Sequence, residues 1–230
     1  MTIAALVPAR NEADRIQATV ASLLSVDGLD EIIVIDDGSI DATAALAAGA
    51  GARVIRSTSN RGKGVALRAG LEATMADVVV LIDADLGSTA AVAGRLLAPI
   101  TAGEADMTIA RPPDGAPSGF GLVERLSRWG IQRLCGATMQ RPLSGQRAVR
   151  RDILDRFGFA PRFGVETALT IDAVRAGFRV IEVPYPIEHA KTGRDMAGFA
   201  HRARQGIDVA AVLMARSVGR ERQTRGRPQP

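Results

Sequence analysis

The feature that most constrains this chain is a set of short, almost unbroken apolar runs, Ile3 to Val7, Ile32 to Ile35 and Val78 to Ile82, separated by segments with apolar residues at helical spacing. Ile16, Val20, Leu23 and Leu24 form the first such segment. Runs without polar alternation are buried on both faces, which a parallel sheet covered by helices on each side provides. The pattern therefore predicts an α/β chain with a mostly parallel central sheet flanked by helices. It continues with helices over Asp41–Ala48, Gly64–Met75, Leu122–Leu134 and Val165–Ala176, and strands at Arg53–Ile55, Met107–Ile109 and Val180–Val183. In such sheets ligands bind beyond the carboxyl ends of the strands, so the residues that follow each apolar run are the informative ones.

A chain of 230 residues is long enough for one sizeable α/β core and too short for two with a linker. We expect a single domain over 1–215, with a ligand-binding half over 1–110 and a second half over 111–215. The Arg-, Gly- and Pro-rich tail 216–230 is expected to fray. Pro112 to Gly121 reads as a loop able to act as a lid. The longest apolar runs fall well short of the roughly 18 residues that span a bilayer, so no transmembrane segment is expected. No basic leader precedes the first strand, and a cytoplasmic protein is the expectation. Cys135, the only cysteine, has no partner for a disulfide or a zinc pair and reads as a small buried hydrophobe.

The net charge of +4 is uneven: from Lys191 onward nine Lys/Arg face three Asp/Glu, a local +6, which leaves −2 before it. Aromatic residues are only 3% of the chain, too few for stacking platforms, and no nucleic-acid motif is present, so nucleic-acid binding is excluded. Between Phe199 and Arg216, arginines mix with Ile207, Val209, Val212, Leu213 and Met214. That stripe fits core packing, a homodimer interface, or a helix lying on anionic lipid at the inner membrane face.

Four stations carry chemistry. Pro8-Ala9-Arg10-Asn11-Glu12 ends the first strand, and Asn11 and Glu12 suit hydrogen bonding to a base or ribose. Asp36-Asp37-Gly38-Ser39 ends the second. Asn60-Arg61-Gly62-Lys63-Gly64 precedes a helix, where backbone N–H groups and cations can cradle phosphates. It is not a Walker loop, which needs a glycine at Ser57 and a Ser or Thr at Gly64. Gly49-Ala50-Gly51 precedes a strand instead of following one, so a dinucleotide fingerprint is absent and hydride transfer is disfavoured. Finally Asp83-Ala84-Asp85 places two carboxylates at the exit of a buried strand, and a divalent cation with a diphosphate would relieve their repulsion. Alone, each station is equally a cap or a turn.

In this order the four stations resemble family-2 nucleotide-sugar glycosyltransferases, with their Rossmann-like A-type fold and Asp-x-Asp motif. The likeness covers about residues 3 to 190. It implies that Pro8, Ala9, Arg10, Asn11, Glu12 and Asp37 line the base and ribose and that Gly62 and Lys63 meet the diphosphate. It gives Asp83 to the sugar or ribose, next to Ala84, while Asp85 ligates Mg²⁺ or Mn²⁺. The later half resembles polyprenyl-phosphate sugar synthases and glucosyl-3-phosphoglycerate synthases. Arg141-Pro142-Leu143-Ser144-Gly145-Gln146-Arg147 matches their sugar and acceptor pocket, with Ser144 and Gly145 on the donor and Arg141 on the acceptor. Phe163 to Leu169 matches their acceptor-side helix start, with Glu166 as a functional acid. Glu188 to Arg194 supplies His189 as a further metal ligand and Arg194 for the acceptor.

The implied catalytic set is Asp83, Asp85, Glu166 and His189. The implied reaction moves a sugar, glucose from a UDP-sugar by resemblance, to a phosphorylated small molecule, a hydroxyl or a lipid phosphate. Family-2 relatives mostly invert and the phosphoglycerate-directed ones retain, so the stereochemistry stays open. Arg147 and Arg194 are further candidates for clamping a phosphate. A catalytically silent nucleotide-sugar binder is the main rival. A sugar-nucleotide pyrophosphorylase needs a Gly-rich loop where Pro8-Ala9-Arg10-Asn11 stands.

Overall fold

The computed structural model describes residues 1–111, 121–160, 164–185 and 206–217. Seven strands form one sheet: β1 (Ile3–Ala9), β2 (Glu31–Asp36), β3 (Arg53–Arg56), β4 (Val78–Leu81), β5 (Met107–Arg111), β6 (Arg147–Arg150) and β7 (Val180–Pro184), in the spatial order β3-β2-β1-β4-β6-β5-β7. β1 pairs in parallel with β2 and β4, β2 with β3, and β5 with β7. β6 alone among them runs antiparallel, to both β4 and β5.

The buried runs divide by alternation, as a strand's period of two requires. Ile3, Ala5 and Val7 of β1, Ile32 and Val34 of β2, and Val78 and Val80 of β4 join one core cluster. Leu6, Ile33, Ile35, Val79 and Leu81 join the other. On the first face lie α1 (Ile16–Leu24), α2 (Thr43–Gly49), a 3₁₀ turn (Gly87–Ala91) and α4 (Val92–Thr101); on the second lie α3 (Lys63–Glu72), α5 (Gly121–Cys135), α6 (Arg151–Phe157) and α7 (Val165–Arg175). α3 sits on the sheet through Gly70, where a Cβ would lie 2.8 Å from Ile35 Cδ1 and 3.1 Å from Leu6 Cδ2. Both neighbours are fully buried, so Gly70→Leu is expected to lower stability by about 1–3 kcal/mol, read as a fall in the urea midpoint.

Several expectations are refined. β4 stops at Leu81, and α2 starts at Thr43, after Asp41, whose carboxylate accepts the Thr43 amide at 3.0 Å. α3 starts at Lys63 after Gly62, whose φ of 90° no side chain adopts easily. Periodicity assigns no element to α4, α6 or β6. Arg147 begins β6 instead of ending a loop. Of the stripe near the C-terminus, residues 206–217 are helical, and Val209, Val212 and Leu213 are buried in the protein while Ile207 and Met214 are exposed. Gly130 of α5 and Gly164 leave the room that Leu213 and Val212 occupy, since a Cβ at either would lie 2.3 Å from Leu213 Cδ2 or 2.4 Å from Val212 Cγ2. Arg216, expected in the frayed tail, is ion-paired to Asp172 of α7. Residues 112–120, the expected lid, and 218–230 lie outside the described residues.

At the end of the sheet away from the strands' carboxyl ends, Asp106 ties three strands. Its carboxylate accepts the Arg179 amide at 2.8 Å, Arg179 Nε and Nη2 at 3.1 Å, and Arg150 Nη1 at 3.1 Å. The Arg179 hydrogen bonds outweigh burial and hold Asp106 down from 3.8 to about 2. A carboxylate depressed in the folded state stabilises it fully above the unfolded value, and that contribution disappears as pH falls from about 4 through about 2. Asp106→Asn is therefore expected to cost about 2 kcal/mol at neutral pH and to flatten the loss of stability over that acid window, checked by urea unfolding at each pH.

Candidate active site

The first two strands end side by side, and their loops are stitched together. The Ala9 carbonyl accepts the Asp37 amide at 2.9 Å. Asn11 takes a φ of 54°, in the left-handed region that asparagine tolerates better than most residues. That turn lets its amide donate to Ser39 Oγ at 2.9 Å while its Oδ1 accepts the Ile40 amide at 3.0 Å. The Glu12 amide donates to Thr43 Oγ1 at 2.8 Å. Pro8, Ala9, Arg10, Asn11 and Glu12 thus form one side of this junction, with the Asn11 side-chain oxygen engaged in holding the neighbouring loop.

Asp37 is the residue that the resemblance gives to the base or ribose. It is buried, and its two oxygens accept the Arg61 amide at 2.8 Å and the Gly62 amide at 2.7 Å. Its carboxylate shapes the loop that delivers Lys63. Gly38, φ 76°, permits this approach, because a Cβ there would lie 2.8 Å from the Ser59 carbonyl carbon.

The third and fourth stations meet at Lys63. Its Nζ donates to Asp83 Oδ1 and Glu166 Oε1, both at 2.9 Å, joining residues 103 positions apart. Asp83 Oδ2 accepts Gln146 Nε2 at 2.6 Å, and Ser144 Oγ donates to Gln146 Oε1 at 3.1 Å. Gly145 comes so close that a Cβ would lie 2.6 Å from Asp83 Oδ2 and 2.7 Å from Lys63 Nζ. The antiparallel course of β6 makes this possible: Leu81 is in register with Arg147, so residues 144–146 arrive beside Asp83 as β4 leaves the sheet. Thr19 of α1, fully buried, fixes the Asp-x-Asp turn by donating to the Ala84 carbonyl and accepting the Gly87 amide, each at 2.8 Å. Arg15 Nη1 donates to the Asp85 carbonyl at 3.1 Å.

β7 contributes Glu182, whose oxygens accept the Gln140 amide at 2.8 Å and the Arg141 amide at 2.6 Å. Arg141 Nη1 lies 3.3 Å from Glu124 of α5, which is also paired with Arg128. Arg147, a candidate phosphate clamp, is buried at 1% exposure and faces protein carbonyls, so it meets no substrate phosphate.

Burial and a crowd of acids, Asp85 first, then Asp41 and Asp83, push the Glu12 carboxyl up against the opposing pull of Arg15. Burial alone would lower Lys63, but the charges of Asp83 and Glu166 and their hydrogen bonds more than reverse it, so Lys63 stays protonated. The site thus pairs a locked cation with a negative region around Glu12 and Asp85. A divalent cation fits the donor chemistry of that region, because carboxylate oxygens are its ligands and it would offset the repulsion that adds to burial in raising Glu12. Among the described residues no group of three or more metal-ligating side chains forms. Asp85 brings one carboxylate, and His189 and Arg194 lie outside the described residues.

Sequence reasoning missed Thr19, Glu124 and Glu182 as site-forming residues and named Gln146 only as part of the 141–147 loop. Thr19 had a signal, being polar on the apolar stripe of Ile16, Val20 and Leu23. Glu182 had none, since alternation on an edge strand looks the same whatever the acid holds.

Residues 4–158 match the family model described as glycosyl transferase family 2. The chain belongs to that family. It is a glycosyltransferase, and solved relatives share its architecture along 94% of the chain. It is 35% identical to glucosyl-3-phosphoglycerate synthase of Mycobacterium tuberculosis, over 94% of this chain and 73% of the relative. It is 29% identical to a dolichyl-phosphate hexose transferase of Haloferax volcanii, over 92% of this chain and 94% of that one. The crystal structure of the M. tuberculosis synthase in complex with Mn²⁺, UDP-glucose and phosphoglyceric acid superimposes with a TM-score of 0.76 at 32% identity, covering 94% of this chain and 79% of that one. Among the described residues, no helix of this glycosyltransferase is long and apolar enough to cross a membrane.

Proposed function

We propose that this glycosyltransferase moves glucose from UDP-glucose to the hydroxyl of 3-phosphoglycerate, with Mn²⁺ or Mg²⁺ at Asp85. The observation that carries this reading is Lys63, which joins the acid of the Asp-x-Asp turn to the acid of α7. Likeness to the M. tuberculosis synthase along 94% of the chain supports the choice of donor and acceptor.

The bond from the anomeric carbon to the diphosphate breaks, UDP leaves with the bonding pair, and a new bond forms to the acceptor oxygen, whose proton is released. Asp85 would hold a divalent cation, with Glu12 nearby and His189 as the further ligand implied by resemblance, and the bound cation would supply charge neutralisation for the departing diphosphate. Lys63 is the protein's own cation at this point. When the diphosphate arrives it offers Lys63 a competing anion, and the ammonium, already desolvated and positioned, stabilises charge that develops on the leaving group. Asp83, held by Gln146, accepts a sugar or ribose hydroxyl. Glu166, on the first turn of α7, accepts from a sugar or acceptor hydroxyl once Lys63 turns to the diphosphate. The loop 140–146 closes the acceptor side, and Arg194 contributes the acceptor's phosphate contact in this reading.

Calorimetric titration with UDP-glucose and with GDP-mannose, with and without Mn²⁺, tests the donor side. UDP-glucose is expected to bind in a Mn²⁺-dependent way and GDP-mannose at least about tenfold more weakly, a difference of about 1.4 kcal/mol. Equal binding of both, or binding indifferent to metal, defeats the proposal.

A further inference from the structure

Arg147 is the largest fully buried side chain among the described residues. Its guanidinium donates to the carbonyls of Pro142 at 2.7 Å, Ser144 at 2.9 Å and Glu166 at 3.0 Å, and to Thr170 Oγ1 at 2.8 Å. Thr170 Oγ1 in turn donates to the Glu166 carbonyl at 2.9 Å. Burial lowers the guanidinium to about 10, with Glu166 and Glu182 opposing the fall. Burying such a cation is costly unless its hydrogen bonds are met, and a hydrophobe of similar size often stabilises a core better. The partners show what the arginine does that a hydrophobe cannot. Pro142 and Ser144 belong to the loop that brings Gly145 and Gln146 onto Asp83. The Glu166 carbonyl belongs to the helix turn whose side chain grips Lys63. The planar fork spans both segments at once, whereas lysine is a point cation that reaches fewer of these partners.

We infer that Arg147 is a positioning residue for the transfer step: it fixes the loop that orients Asp83 against the helix turn that carries Glu166, and so sets the geometry on both sides of Lys63. The inference rests on the glucosyl-transfer reading above. It touches neither substrate, and the uridine rim on β1 and β2 lies outside its reach.

Arg147→Met, Arg147→Lys and Thr170→Val are compared with the parent chain for kcat, for KM of each substrate, and for UDP binding with Mn²⁺ by calorimetry. Both Arg147 variants are expected to lose about a hundredfold in kcat, the size of effect that a misplacement near 1 Å produces. Thr170→Val, which removes one partner of the fork, is expected to lose about tenfold, while UDP binds all three variants at one site per chain within about threefold of the parent. Failure of lysine to rescue marks the fork, not the charge, as the requirement. Turnover of Arg147→Met or Thr170→Val within about threefold of the parent overturns the inference, as does a UDP stoichiometry that falls in step with kcat. If Arg147→Met does not fold, Thr170→Val decides. If the parent itself fails to turn over these substrates, the substrate reading has failed, and amide exchange then decides the role of Arg147. Exchange in Thr170→Val must quicken together at residues 144–146 and in the first turn of α7 while β1 and β2 are unchanged, and a uniform change or none overturns it.

Discussion

Asp85→Ala is expected to lower turnover about a thousandfold, because a catalytic metal contributes several kcal/mol and each 1.36 kcal/mol is a factor of ten. The turn that carries Asp85 is held from behind by Thr19 and Arg15 through backbone carbonyls at Ala84 and Asp85. The scaffold is therefore expected to survive the substitution, with a thermal midpoint close to the parent's. Removing Asp85 also removes the foremost of the acids that push Glu12 upward, so the Glu12 carboxyl is expected to titrate lower in the variant. Two measurements check this: kcat across a Mn²⁺ titration, and a carboxyl-carbon NMR titration of Glu12. Turnover within tenfold of the parent, still dependent on Mn²⁺, would place the metal elsewhere.

Lys63→Met has a comparable effect for a different reason. Asp83 and Glu166 share this one ammonium, and Glu166 is the more buried of the two, with 10% of its side chain exposed. Without the cation, the two acids that share Lys63 lose its counter-charge, and in the proposed reaction the departing diphosphate loses a preorganised donor. Removal of one such donor commonly costs about 10²–10³ in kcat. Stability falls as well, by less than the roughly 3–5 kcal/mol of a fully buried pair, because Asp83 is 31% exposed. A second variant separates the two effects. Lys63→Met combined with Glu166→Gln relieves the repulsion and is expected to recover the thermal midpoint while kcat stays low. Recovery of kcat along with stability would show that Lys63 matters only to the fold.

The parts of this architecture that were legible in the sequence are those where one physical demand dominates. Ile3–Val7, Ile32–Ile35 and Val78–Ile82 are buried on both faces, so apolar continuity alone identifies β1, β2 and β4, and the acids after them mark the rim. β6 was not legible, because Arg147-Ala148-Val149-Arg150 begins and ends with arginines. Arg147 is nevertheless buried, its charge met by carbonyls from segments that only the fold assembles, and nothing local announces that. The same holds for Asp37 and Asn11. Both were recognised as rim residues, but their oxygens are taken by backbone amides of Arg61, Gly62 and Ile40, a division of labour that depends on how neighbouring loops pack. The link from Lys63 to Glu166 spans two halves of the chain, and only the family resemblance suggested that these residues share a site. The apolar stripe at Val209, Val212 and Leu213 fitted three settings from sequence. Gly130 and Gly164 make room for Leu213 and Val212 within the chain, while Ile207 and Met214 of the same stripe stay exposed.

The most direct test is product formation. The purified chain is incubated with UDP-glucose and 3-phosphoglycerate, with Mn²⁺ or with chelator, and the mixture is read by mass spectrometry, with glycerol 3-phosphate and a polyprenyl phosphate offered in parallel. Glucosyl transfer at this site requires UDP and glucosyl-3-phosphoglycerate to appear in equal amounts with Mn²⁺, to vanish with chelator, and to be lost in Asp85→Ala. Transfer only to the polyprenyl phosphate, or UDP binding with no transfer to any acceptor, would contradict it.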